Sequence, residues 1–340
     1  MKRIIFIAIT IFFTVNLMAQ TDTLVLVNND VIVGEIKSLD KGVIIFETDY
    51  SDSDFKIEWL NVKEIISTQK FIMTFSNGDR INGYIRTNPS DPKKVNVISD
   101  DSTLSSFDIK QLVYLKTLEN SFLSKLSANI DVGYTFTKAR NNHQLSMRSG
   151  VSYLTNIWGA DGRLDVVRSV QDSTEAIRRT EGNISVKMFL YKDIFATSSA
   201  NFLQNNEQKL ALRSTYDLGI GNYFVHTNKV YLILIVGGAW NDEVYTDPAI
   251  SSRSDAEAFG SVELNLFDIG DLSLLTNAKL SPSLSTPGRY RADLKFDIKY
   301  DFAYDLYIKF GTTYNYDSSP VEGAANSDYV IQTTLGWEWN

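Results

Sequence analysis

Five charged residues at a strict two-residue spacing, Arg291, Asp293, Lys295, Asp297 and Lys299, stand out as the side chains whose types and order could do chemistry. Carboxylates set between lysines could serve as a general acid/base cluster. They could also form a ladder in which opposite signs neutralise each other across neighbouring strands. The residues between them, Ala292, Leu294, Phe296 and Ile298, are all apolar, and that favours the ladder. Asn77-Gly78-Asp79 raises a second possibility, a phosphate-binding loop. It lacks a following Lys-Ser/Thr pair and a helix to open, so it reads as a hairpin turn. The chain has no cysteine, which excludes thiolate metal sites and a disulfide scaffold.

The elements that must carry the ladder follow from its period. Side chains alternate faces along a strand, so Tyr290 to Tyr300 has one apolar and one charged face. A helix would need apolar spacing near 3.6. The pattern repeats after Asp301: Leu306, Ile308, Phe310, Tyr314 and Tyr316 lie opposite Tyr307, Lys309, Gly311, Thr313 and Asn315. It recurs at 126–136, 144–153, 183–190, 210–220, 261–266 and 329–339, and segments near 156–170, 193–204, 229–240 and 271–280 bring the count to twelve. Residues 231–236 are apolar on both faces, as expected of a strand that packs on something inside.

A soluble two-sheet sandwich and a membrane barrel both fit a single such hairpin; the connections separate them. Tight turns near Thr155, Lys192, Thr227, Ile269 and Phe302 alternate with longer polar loops such as 171–177, 241–256 and 317–326. That alternation is the habit of an outer-membrane barrel with its tight turns in the periplasm. Residues 118–340 therefore read as a 12-stranded antiparallel outer-membrane barrel. The polar parity then points into the lumen and places Arg148, Lys187, Arg213, Glu263, Arg291, Asp293, Lys295, Asp297, Lys299, Lys309 and Glu338 there as a charge ladder. With both signs present, a small or intermittently closed pore of weak ion selectivity is expected. The two histidines, His143 in an outer loop and His226 in a periplasmic turn, fall at opposite ends and read as solvated loop residues. Their separation argues against a histidine metal site or a Ser-His pair.

The chain opens Met-Lys-Arg before an apolar run from Ile4 to Val15, with a cleavage point after Ala19. Residues 1–19 read as a signal peptide, the run being shorter than the roughly 18 residues of a spanning helix. Loss of Lys2 and Arg3 takes the net charge from −8 to −10, a poor balance for binding nucleic acid. Mean hydropathy is −0.13 and no second long apolar run exists, so any further membrane insertion must be by strands. Residues 20–117 carry an internal repeat, about 22–68 and 69–117. The stretch from Leu24 to Ile36 lies on that from Phe71 to Ile85, with Asn29 in the place of Gly78 and Gly34 in the place of Gly83. Asn29 and Gly78 both suit the left-handed region of a turn. Gly34 and Gly83 mark a bulge or a close backbone approach. Each copy has the length of one small SH3- or Sm-like barrel, so the whole chain reads as all-β.

The stretches Asn77-Gly78-Asp79-Arg80-Ile81-Asn82-Gly83, its echo at Asn28 to Gly34, and Thr48-Asp49-Tyr50…Ile57-Glu58-Trp59 carry a resemblance. Together with the leader and the barrel pattern, the chain resembles the YdiY-like family of salt-induced outer-membrane proteins, domain-of-unknown-function family 481. The resemblance implies a compartment and an architecture more than an activity. The expectation is a structural or narrow-channel barrel in the bacterial outer membrane, not an enzyme and without a cofactor. Its partners would be outer-membrane lipid and, through a periplasmic module at 20–117, cell-wall or envelope proteins. The alternative is an outer-membrane lipid-modifying hydrolase, which needs a Ser or Asp with a His on adjacent strands at one membrane interface. The sequence does not place such a set together.

Overall fold

The computed structural model describes residues 22–118, 125–137, 142–172, 175–269, 272–302 and 305–339. The leader segment lies outside the described residues.

The N-terminal part comprises β1 (Asp22–Leu26), β2 (Val31–Asp40), β3 (Val43–Glu47), β4 (Phe55–Glu58), β5 (Val62–Phe75), β6 (Arg80–Asn88), β7 (Asp91–Ser99), β8 (Leu104–Asp108) and β9 (Leu112–Thr117). Short 3-10 turns at Trp59–Asn61 and Ile109–Gln111 join β4 to β5 and β8 to β9. The hairpin turns of the two halves match bond for bond. Leu26 N–H donates to the Asp30 carbonyl at 2.9 Å, as Phe75 N–H does to Asp79. Asn28 and Asn77 each accept from the backbone N–H two residues on. Asn29 and Gly78 both have positive φ, 69° and 82°.

The two halves do not stand as separate small barrels. They share one nine-stranded sheet in the order β4-β3-β2-β1-β5-β6-β7-β8, with β9 pairing both β2 and β5. The cause is β5, whose fourteen residues end one half and begin the other. A single core follows, in which Leu24, Ile36, Phe46 and Trp59 pack in the same cluster as Phe71, Met73, Val97 and Leu115. Trp59 Nε1 donates to the Ile109 carbonyl across the halves at 3.0 Å. Gly34 and Gly83 mark close backbone approach: a Cβ at Gly34 would overlap the Glu47 carbonyl oxygen, and one at Gly83 the Ile98 carbonyl oxygen.

The rest is a closed ring of twelve antiparallel strands. They are β10 (Leu126–Thr137), β11 (Asn142–Leu154), β12 (Trp158–Val170), β13 (Ile177–Tyr191), β14 (Ile194–Asn205), β15 (Leu210–His226), β16 (Val230–Tyr245), β17 (Arg253–Ile269), β18 (Leu272–Pro282), β19 (Tyr290–Asp301), β20 (Leu306–Asp317) and β21 (Ser327–Trp339). Closure comes from β10 pairing β21, Ile130 opposite Trp337. Burial is inverted relative to a water-soluble sheet. Leu218, Ile184, Val236 and Leu335 are exposed on the outside, whereas Asp131, Glu243, Asp255 and Arg289 are buried within. Exposed aromatic side chains gather at both rims, with Trp158, Tyr191, Tyr300 and Trp337 at the tight-turn end. Tyr134, Trp240, Tyr290 and Tyr329 lie at the other. An apolar band between aromatic girdles is how a barrel meets lipid.

Candidate functional site: the lumen and its two ends

All eleven residues expected on the inner face are on it, and most meet a partner there. Lys295 Nζ lies 2.9 Å from Glu181 and 3.6 Å from Asp165. β13 and β19 stand six places apart in the ring of twelve, so this pair ties opposite walls together. Arg148 reaches Asp297 at 2.9 Å, Arg213 reaches Glu243 at 2.8 Å and Arg291 reaches Glu257 at 2.6 Å. Lys309 pairs with Asp131, Lys299 with Glu338, and Asp293 accepts from Asn315. Lys187 lies 5.3 Å from the centre of the Phe195 ring, and Glu263 faces the lumen across from it. The expected ladder between neighbouring strands is thus only part of the arrangement, because several pairs span the bore.

The half toward the long loops is solid. Arg289 from the loop after β18 is 2% exposed; it donates to both oxygens of Glu243 at 2.8 and 3.0 Å, and to Asp317 and Asp255. Tyr245 O–H donates to Glu243 at 2.6 Å. Arg179 bridges Glu181 and Asp328 at 3.0 and 2.8 Å. Glycines make room for inward side chains: Gly311 lies under the Arg148 guanidinium and, nearer the tight turns, Gly336 lies under the ring of its neighbour across the strand pair, Tyr307. Sequence reasoning passed over Arg289, Glu243, Asp255, Asp317, Asp131 and Glu181 as site residues. Only Asp131 lay on a strand read from the sequence. Glu243, Asp255 and Asp317 fell in stretches read as loops and Glu181 before the strand at 183–190, whereas β16 runs on to Tyr245, β17 starts at Arg253, β20 ends at Asp317 and β13 starts at Ile177.

The tight-turn half differs. Lys295 and Asp165 keep 35% and 25% of their side-chain surface, and Arg163, of inward parity on β12, is exposed. An apolar cluster of Phe195, Ile233, Ile235 and Phe259 fills one side, so the inward face of 231–236 does pack inside the barrel, while Leu234 and Val236 face outward. Gly219, Gly221 and Gly237 make way for those phenylalanine rings.

The N-terminal domain sits across this end. Gly78 packs on the backbone of Lys192 and Asp193, Asn228 Nδ2 donates to the Leu112 carbonyl at 2.9 Å, and Lys56 pairs with Asp305 at 2.8 Å. The Arg80 guanidinium lies 3.5 Å from the centre of the Phe189 ring. Burial at this junction pushes Arg80 and Lys116 down and Tyr114 up, each away from its charged form. Contact also explains the difference at the centre of the two Asn-X-Asp turns. Gly78 is buried against the barrel, where a side chain would clash, while its counterpart Asn29 is exposed and free to be Asn.

His226 corrects an expectation. It is 7% exposed, stacked at 4.5 Å on Tyr223 and 2.9 Å from Asp193, and so is a junction residue where a solvated turn residue was expected. The turn itself is tight because Thr227 caps it, which drives the preceding residue inward. His143 lies at the other end of the barrel, 2.6 Å from the Tyr134 hydroxyl. Among the described residues no group of three or more His, Cys, Asp or Glu side chains could hold a metal ion.

A family model described as "protein of unknown function, DUF481" matches residues 120–339. The chain belongs to that family. Comparison with curated proteins finds no match. Among solved structures, the chain is similar to the NanC porin at 10% identity, covering 63% of this chain and 99% of that one, with a TM-score of 0.39. It is similar to the translocator domain of the autotransporter NalP from Neisseria meningitidis at 12% identity (63% and 87% covered, TM-score 0.36). A KdgM porin in complex with disordered oligogalacturonate matches at 9% identity (62% and 98% covered, TM-score 0.34).

Proposed function

We propose that this DUF481 protein is an outer-membrane barrel sealed at its outer half by ion pairs, with its N-terminal domain on the periplasmic side. Its role is that of an envelope structural or binding protein, and a standing pore is not part of it. The observation that carries the reading is the Arg289 knot together with the Lys295–Glu181 pair across the bore. The knot is buried, and loss of one partner from a buried pair costs about 3–5 kcal/mol, which supports a bore held closed by these contacts. The lipid-facing band and the two aromatic girdles support the membrane, and the docking on the tight-turn rim supports the periplasmic placement. The duplicated N-terminal module, read as fused small-barrel units, offers its outer face to envelope partners.

A hydrolase would have to use His226 with Asp193. That pair is held between Tyr223 and Tyr231, and among the described residues no serine hydroxyl hydrogen-bonds to it. Reconstituted liposomes test the main reading: vesicles holding the protein should not swell in arabinose. Protease added to intact cells should spare residues 22–118. Rapid swelling, or cleavage of that domain from outside, would overturn it.

A further inference from the structure

Between the ion pairs of the outer half and the N-terminal domain the lumen contains four charged side chains that the seal does not use. Asp161 and Arg163 on β12, Lys187 on β13 and Glu263 on β17 all have inward parity. Among the described residues none of the four makes an ion pair or a side-chain hydrogen bond, in contrast to Arg148, Arg213, Arg291, Lys295 and Lys309. Arg163 is exposed and Asp161, Lys187 and Glu263 are half-buried, although all four point into a closed ring. An inward side chain can be exposed only if a space lies in front of it. The neighbouring wall is made of small polar residues, Ser152, Ser185 and Thr197. Above, the Lys295–Glu181–Asp165 cluster closes this space; below it sit Arg80 and Phe189 at the domain junction.

Charged groups inside a protein are kept where they have partners, because leaving one unpaired in a dry interior is expensive. Asp161 and Glu263 act on Lys187 only at longer range, so the four, two of each sign and none in a direct ion pair, line a space able to pair with a solute that carries both signs. An anion alone would meet Asp161 and Glu263 as well as Arg163 and Lys187, and a cation alone would meet the reverse. We propose that this chamber binds a small zwitterionic solute of the free amino-acid type. The carboxylate is taken by Arg163 and Lys187, and the ammonium by Asp161 and Glu263. No hydrogen bond or ion pair from the N-terminal domain reaches the Thr155–Trp158 turn among the described residues, which leaves that rim as the way in.

The test is calorimetric titration of the full-length protein in detergent with alanine, propionate and ethylamine, the last two being its halves. Alanine should bind saturably and at least tenfold more tightly than either half. Arg163→Ala and Asp161→Asn should each weaken alanine about tenfold, with the barrel's heat-modifiable gel migration retained. Ser152→Trp, which fills the chamber and removes no charge, should abolish binding. Absence of saturable alanine binding would overturn the proposal. So would propionate binding as tightly as alanine, or alanine binding indifferent to all three substitutions.

Discussion

Asp131→Ala is the substitution whose cost the structure defines best. Asp131 on β10 is 0% exposed, is paired with Lys309 on β20, and accepts from the hydroxyl of Tyr307, itself 1% exposed. Removing the carboxylate leaves an 8% exposed ammonium with the Tyr307 ring, 5.1 Å away, and the more distant Glu338 carboxylate to interact with its charge. Loss of one partner from a buried pair costs about 3–5 kcal/mol, against about 0–1 kcal/mol for a solvated one. Replacing both, as Asp131→Ala with Lys309→Met, removes the stranded charge and should recover at least about 1 kcal/mol of the single-variant loss. Urea unfolding in lipid vesicles, followed by tryptophan fluorescence, measures all three proteins. A single-variant loss under about 1 kcal/mol would show that Lys309 is hydrated, and the sealed-lumen reasoning would be wrong.

Other outcomes follow from the same geometry. Asp22 accepts from Ile36 N–H, Ser67 O–H and Gln69 N–H at 2.8, 2.6 and 2.8 Å, so Asp22→Ala should cost the N-terminal domain about 3 kcal/mol or more by hydrogen exchange. Burial raises the pKa of Asp22, so the folded domain holds that proton more tightly than the unfolded chain. Its contribution is therefore present below the ordinary value of 3.8 and is lost as pH rises through the raised one; Asp22→Asn should remove that slope, and an unchanged slope would contradict the assignment. Gly34→Val and Gly83→Val should each unfold the domain, whereas Gly162→Val, with open space before its Cβ, should change the melting temperature little. In single-cysteine variants in liposomes, position 163 should react with a water-soluble maleimide, while 291 in the sealed half and 292, 294 and 298 on the lipid face should not. Labelling along the whole strand would refute the register.

The barrel was legible because its rule is local. Alternation at Tyr290–Tyr300 states which residue faces lipid, and twelve such segments with alternating tight turns leave few ways to close. Turn chemistry was equally local: Asn29 and Gly78 announced positive φ, and Gly34 and Gly83 announced carbonyls that sit where a Cβ would be. What the sequence hid was which inward charge meets which. Lys295 reaches Glu181, more than a hundred residues away, only because the five strands between them curl round the ring. His226 looked like a turn residue since its local spacing does not reveal that Tyr223, Tyr231 and Asp193 will enclose it. Fusion of the two N-terminal halves was hidden for a similar reason, because the boundary between the copies, near 68 and 69, falls inside β5, whose pairing with β1, β6 and β9 joins them.

Single-channel recording in planar bilayers tests the central claim most directly. Full-length wild-type protein, its insertion verified independently, should be silent at moderate voltage in both low and high salt. The triple variant Arg289→Ala, Arg291→Ala, Lys295→Ala removes the knot and the cross-bore pair; it should conduct, with cation preference from the carboxylates left behind. Steady conductance from the wild type, or equal silence from wild type and triple variant, would contradict a lumen held shut by these ion pairs.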